Sequence, residues 1–335
     1  MLSFLRKQES ELCEMPDHVR HDRGSAMVDL EHMKRIRLVT KPIGQRIVAT
    51  FLLHTNYRIF ADVDIRIENV DRIPRDENVI FAMNHTDRFN YWPFQYKMWH
   101  MKCFPYTTVW VKGKYYGNAF LAKGLDLCNL IPVPSMGYLI EEFYKKKFKR
   151  RMDRDIYRAI RDVIDGVYNG VESYPKAARE TLCEMGENFV DFVRNYYDMI
   201  MERVAELSRV ALCEKDLNLI IFPEGTRGTQ LGEGKTGLAQ LALHTAKKIV
   251  PVGCNNSDAL YSGSLPFAKS GRITYRVGEP LSLEKQLKEF AIPEPFTLFS
   301  KESQQKYKTQ FDEVTRLVME HINLLLDEKY RRVSA

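Results

Sequence analysis

The chain has 335 residues, 44% of them hydrophobic and 28% charged, which allows a substantial core and argues against disorder along its whole length. A formal net charge of +6 suits an anionic partner, a membrane surface or a phosphorylated substrate, but is too mild to demand one. Six cysteines, with no CxxC pair and no histidines at ligand spacing, point to reduced, mostly buried thiols rather than disulfides or zinc.

Residues 1–30 are rich in charge, lack sustained periodicity and read as a mobile arm, with an apolar stretch too short for a secretory leader. A helix is expected from Ile47 to Arg58. Its apolar run, Ile47 to Leu53, is closed off by Gln45-Arg46 on one side and His54 to Arg58 on the other. No segment reaches the roughly 18 apolar residues of a membrane span. The expectation is therefore a cytoplasmic chain that meets a membrane peripherally, through an amphipathic or basic surface.

Val63 to Val70 alternates and predicts a strand, whereas Val79 to Met83 is a short continuous apolar run of the kind buried on both faces of a sheet. Further strands are predicted at Thr107 to Lys112, Asn129 to Val133, Leu217 to Phe222, Ile249 to Cys254 and Ile273 to Val277. Helical patterns, among them Gly237 to Lys248 and Lys301 to Tyr330, alternate with these runs and predict an α/β domain over residues 31–335. Residues 137–215 hold no convincing strand. Apolar positions there, from Leu182 to Val210, fall near helical spacing, so one amphipathic helix is expected within a helical insertion.

Two turns carry candidate chemistry. Asn84-His85 follows the run Val79 to Met83, which puts an imidazole at the C-terminal end of a strand, where α/β sheets bind ligands. Such a group can take a proton from an alcohol near neutral pH. It needs an acceptor on its other ring nitrogen to hold its tautomer. Asp87 and Asn90 both stand within reach in sequence, and the choice stays open, with Asp87 preferred because it is a carboxylate. The second turn, Pro223-Glu224-Gly225-Thr226-Arg227, ends the run Leu219 to Phe222 and offers backbone N–H groups, a hydroxyl and a guanidinium suited to phosphate. Lys112, at the end of a predicted strand, is a further basic candidate.

Together these stretches resemble the glycerolipid acyltransferase family typified by 1-acylglycerol-3-phosphate acyltransferases. Asn84-His85 stands where the family has an NHxxxxD block, and FPEGTR from Phe222 to Arg227 matches a second block throughout. Ile249 to Val252 (IVPV) looks like the family's short apolar strand, and Lys235 and Gly237 sit where it commonly has a Lys and a Gly before a helix. The resemblance covers roughly residues 60–135 and 215–280. It implies a mixed, largely parallel sheet flanked by helices. It also implies O-acyl transfer in phospholipid biosynthesis, with His85 deprotonating a hydroxyl of a lysophospholipid such as 1-acylglycerol 3-phosphate. The acyl donor would be the thioester of acyl-CoA or acyl carrier protein, with no other cofactor, no metal and no covalent acyl-enzyme. Glu224, Gly225, Thr226 and Arg227 would bind the phosphate-bearing acceptor.

The chain departs from the family pattern in two places. The family's Asp five residues after the histidine is Asn90 here, and the stretch Leu130 to Ser135 lacks the Arg often found there. Asn90 motivates a rival reading, a non-catalytic protein that binds lipid or acyl-CoA, and the missing Arg leaves room for a different acceptor. No GxSxG elbow supports a hydrolase, and no recognised nucleic-acid module is present. Glu141 to Arg154, with seven basic and three acidic residues and three interleaved aromatics, suits anionic headgroups. Tyr91 to Phe94 fits an acyl groove or ordinary core equally well. The mechanism requires His85 and the Glu224 turn to converge at one rim of the sheet.

Overall fold

The computed structural model describes residues 30–332 apart from 118, 187 and 264, so the arm expected at 1–30 lies, but for Leu30, outside the described residues. Seven strands form one sheet: β1 (Val63–Glu68), β2 (Ile80–Met83), β3 (Thr107–Lys112), β4 (Leu130–Val133), β5 (Asn218–Ile221), β6 (Ile249–Asn255) and β7 (Gly271–Val277). Their order is β1-β7-β6-β2-β5-β3-β4. β2 lies between β5 and β6 and runs parallel to both, with Ala82 opposite Ile221 on one side and Pro251 on the other. β3 is parallel to β5 and β1 to β7, while β6 and β7 are antiparallel. The mixed, largely parallel sheet expected from the sequence is therefore the sheet observed, and each predicted run supplies one strand.

All four residues of β2 and of β5 are buried, which is why their sequences run apolar without alternation. On one face Ile80, Ala82, Leu219 and Ile221 pack with the helices Gly237–Thr245 and Lys308–Leu324. The second helix delivers Phe311, Val314, Val318 and Ile322, an apolar stripe at helical spacing. On the other face Phe81 meets the edge of Phe94, from the helix Trp92–Met101, at 5.1 Å between ring centroids. Phe94 leans in turn on Tyr275. The aromatic cluster around residues 91–94 is thus at least partly core.

Two helical expectations change. The run expected from Lys301 to Tyr330 divides into Lys301–Lys306, Lys308–Leu324 and a 3-10 turn at Glu328–Tyr330, with Tyr307 off helical geometry at the first break. The stretch from Ile43 begins as an α-helix (Ile43–Ile47) and continues in π-helical turns, Val48–Leu53 and Asn56–Phe60.

The chain separates into two compact units. One comprises Ile36–Val111, Lys123–Ile131 and the described residues from Glu202 onward; the other comprises the described residues up to Arg35, Lys112–Ala122 and Pro132–Met201. Between β4 and β5 come the helices Met136–Phe148, Arg154–Asp165, Lys176–Met185 and Phe189–Arg209. The single helix expected across Leu182 to Val210 is broken at Gly186, whose φ of +115° an L side chain rarely adopts. Phe143 lies edge-on to Phe192 and Tyr196, at 5.1 and 5.2 Å. Arg194 donates to the carbonyls of Val163 and Ile164, satisfying the negative end of the helix Arg154–Asp165. Phe143 and Tyr144 are buried, so these two aromatics of the basic run at 141–154 serve packing and are not offered to headgroups.

Candidate active site

β2 and β5 run side by side in the same direction, so the turns that follow them emerge at one rim. The main-chain N–H of His85 donates to Oε2 of Glu224 at 2.7 Å, and the N–H of Gly228 donates to the His85 carbonyl at 3.0 Å. Oε1 of Glu224 accepts from the N–H of Gly232 at 2.9 Å. The two motifs, 139 positions apart, are therefore joined main chain to carboxylate.

Three buried polar side chains shape the histidine turn. Asn84 spans to β6, donating to the Cys254 carbonyl at 3.0 Å and accepting its N–H at 2.7 Å. Asp87 accepts the N–H of Phe89 at 2.8 Å and the Thr86 hydroxyl at 3.1 Å, a local turn closed by its own side chain. Burial pushes the Asp87 carboxyl up, against the pull of the Ser257 hydroxyl, the Phe89 N–H and the Thr86 hydroxyl. Asn90 donates from Nδ2 to the Asn84 carbonyl at 2.8 Å, and its main-chain carbonyl accepts the Tyr275 hydroxyl at 2.5 Å.

The imidazole is half-buried and lies against Phe222, the rings nearly parallel at 20° and 4.2 Å apart. Its Nδ1 stands 3.4 Å from Oδ1 of Asn90, a long contact. The direction of that contact is settled by the amide's other bond. The Asn84 carbonyl can only accept, so Asn90 must turn its NH2 there and its oxygen to the ring. Nδ1 then carries the proton and Nε2 remains basic. The preference for Asp87 as the orienting group is thus corrected: its carboxylate holds the turn, and Asn90 holds the position at Nδ1.

Glu224 is buried, and burial raises its carboxyl above the ordinary range against the two N–H donors of Gly232 and His85. Its oxygens serve main-chain donors, which makes it a clamp between the motifs rather than the phosphate contact implied by the resemblance. Gly225 has φ +66°, and a Cβ there would stand 3.3 Å from the Lys235 stem. Thr226 and Arg227 follow, both exposed. Lys235, whose N–H donates to the Pro223 carbonyl at 2.8 Å, joins the exposed cations of this turn. Only the motif spacing hinted at its place there. Lys112 ends β3, is half-buried and belongs to the compact unit that does not contain His85. Among the described residues no cluster of three or more His, Cys, Asp or Glu could hold a metal ion. A cavity of about 420 Å³ opens between Leu231–Gly234 and the helix Lys308–Leu324, and His85 is not among the residues that line it.

The family model described as Acyltransferase matches residues 176–255, a span that contains β5, the Pro223–Arg227 turn and β6 and excludes His85. No curated protein matches the chain. Among solved structures, the 1-acyl-sn-glycerophosphate acyltransferase of Thermotoga maritima is similar at 15% identity and a TM-score of 0.40, over 82% of this chain and 78% of that one. A likeness of that size assigns no residue a role. Over residues 176–255 the chain is thus similar to the acyltransferase family, the glycerolipid branch being the one its motifs resemble.

Proposed function

We propose that the protein transfers a fatty acyl group from an acyl thioester to a hydroxyl of a lysophospholipid of the 1-acylglycerol 3-phosphate type, at a membrane surface facing the cytoplasm. The observation that carries this reading is the Glu224 clamp, which brings the His85 imidazole and the cationic Gly225–Arg227 turn to one rim. Nε2 of His85 takes the proton of the acceptor hydroxyl as its oxygen attacks the thioester carbonyl. The tetrahedral adduct collapses with cleavage of the C–S bond, and the imidazolium returns its proton to the departing thiolate. Arg227, with Thr226 and Lys235, holds the acceptor phosphate. A guanidinium suits that task because its donors match two phosphate oxygens at once.

The donor is read as acyl-CoA or an acyl carrier protein. The decisive experiment follows free-thiol release from long-chain acyl-CoA in detergent micelles, with lysophosphatidic acid, glycerol 3-phosphate or no acceptor. Release that depends on lysophosphatidic acid and disappears in His85→Ala supports the reading. Release with glycerol 3-phosphate alone changes the acceptor. Acyl-CoA binding without release, with either donor type and every acceptor, favours a non-catalytic binder, the reading that Asn90 in place of a carboxylate at Nδ1 keeps in play.

A further inference from the structure

The half-buried arginines among the described residues are Arg72, Arg88, Arg161, Arg194, Arg203 and Arg276. All but Arg88 spend their guanidinium donors on protein acceptors. Arg72 pairs with Glu279 and donates to the Val277 carbonyl, and Arg161 pairs with Asp165. Arg194 donates to the carbonyls of Val163 and Ile164. Arg203 pairs with Glu206 and donates to the Ile36 carbonyl, and Arg276 holds Glu68 and Asp327. Arg88 makes no hydrogen bond or ion pair through its side chain among the described residues. A guanidinium carries five donors and no acceptor, and one drawn into the protein is normally paired. Where the protein supplies no acceptor, a ligand that brings oxygens of its own accounts for the residue.

Arg88 lies in the histidine turn, between His85 and Asn90. That turn is bound to the one after β5: the His85 N–H reaches Glu224 at 2.7 Å, and the Gly228 N–H reaches the His85 carbonyl at 3.0 Å. Arg88 therefore stands on the same rim as exposed Arg227 and Lys235. Neither Asp87 nor Glu224 answers these cations. Asp87 closes its own turn, with its oxygens on the Phe89 N–H and the Thr86 hydroxyl. Glu224 is occupied by the N–H groups of His85 and Gly232. Burial pushes both carboxyls up, which favours their neutral forms. The rim thus keeps an excess of positive charge that a phosphate would balance.

We propose that Arg88 binds a phosphate group of a substrate, so that both turns, and not the Glu224 turn alone, supply cations to the site. This rests on the acyl-transfer reading, which offers two sources of that chemistry: the phosphate of the acceptor and the phosphates of acyl-CoA. A guanidinium can hold two phosphate oxygens at once, whereas a lysine in its place would offer a point charge. The sequence gave no sign of this role, because an arginine beside a motif histidine reads as plain surface charge until its lack of protein partners is seen.

The test is equilibrium binding to the full chain in detergent micelles, with each phosphate ligand set against an analogue that lacks the phosphate. Lysophosphatidic acid is compared with monoacylglycerol, and long-chain acyl-CoA with the S-acyl pantetheine. Arg88→Gln is expected to weaken one of the two phosphate ligands by about tenfold and to leave its analogue unchanged. The ligand that weakens names the source of the phosphate. Arg88→Lys should recover part of the loss, and the gap between wild type and Arg88→Gln should shrink at high salt. If the acceptor is the source, Arg88→Gln and Arg227→Ala act on one group and their losses should not add; if acyl-CoA is the source, they should. Thermal melting checks that the variants keep the fold. An equal loss for a ligand and its analogue makes Arg88 a structural residue and overturns the proposal. Unchanged binding of both phosphate ligands overturns it too, as does a wild type that does not tell either ligand from its analogue. A protein whose phosphate ligand is held by Arg88 but that transfers no acyl group sinks the proposed function and leaves this assignment standing.

Discussion

The turn after β2 buries Asn84, Asp87 and Asn90, each bonded to main chain, whereas the turn after β5 buries Glu224 and leaves Thr226 and Arg227 exposed. The first turn holds one imidazole in one orientation between an amide oxygen and a phenyl ring. The second is tied down through its main chain and the Glu224 clamp, and its cationic side chains stand exposed. A proton-transfer group gains from such fixed geometry, since misplacement of a reacting atom costs rate steeply. A cation that holds a phosphate through solvent-facing donors tolerates more freedom. The two turns should therefore respond differently to substitution.

The largest effect is expected at the base. His85→Ala should lower turnover by about 10²–10⁴ while acyl-CoA still binds, as measured by initial rates and by equilibrium binding of the donor. A loss below tenfold would mean that the fixed turn serves packing and the comparison fails.

The clamp comes next. In Glu224→Gln one oxygen still accepts an N–H, but the new NH2 faces the other N–H donor, so a loss of about 1–3 kcal/mol is expected near pH 5, by denaturant unfolding. The pH dependence has a definite sign. Because the folded carboxyl titrates above its ordinary value, the fold favours the protonated form. Wild type therefore loses stability as pH rises from the ordinary Glu value through the raised folded one, and the Gln variant lacks that loss. The gap between the two should narrow with rising pH. A gap that widens would place Glu224 among the carboxylates stabilised by charge.

Arg227→Ala should raise KM for a phosphate-bearing acceptor about tenfold, with kcat little changed, because an exposed guanidinium contributes binding common to ground and transition states. A fall in kcat of the same size would place Arg227 in the transition state and make the second turn as exacting as the first.

The sheet was legible because each central strand is buried on both faces and so appears in the sequence as an unbroken apolar run, as in Ile80 to Met83 and Leu219 to Ile221. The convergence of the motifs was legible from the strands that precede them. Less visible was the division of labour within the turns. Asp87 and Asn90 both stand close to His85 in sequence, and only the fold shows that Asp87 closes onto Phe89 while Asn90 faces the ring. The break at Gly186 was missed because apolar spacing continues across it.

The smallest effect is the most informative about Asn90. Asn90→Asp restores the carboxylate that the family pattern has, and a negative charge near Nδ1 favours the imidazolium. Its other oxygen, however, replaces an NH2 that donates to the Asn84 carbonyl at 2.8 Å, so two acceptors are forced together. That repulsion favours rotation or protonation of the new carboxyl and offsets most of the gain. The acid limb of the kcat/KM profile should therefore move up by about one pH unit, and kcat should rise by less than about tenfold. A much larger rise would show that the amide handicaps the base. No activity in either form, with donor binding intact, would make the well-ordered histidine turn the relic of a catalyst in a protein that binds.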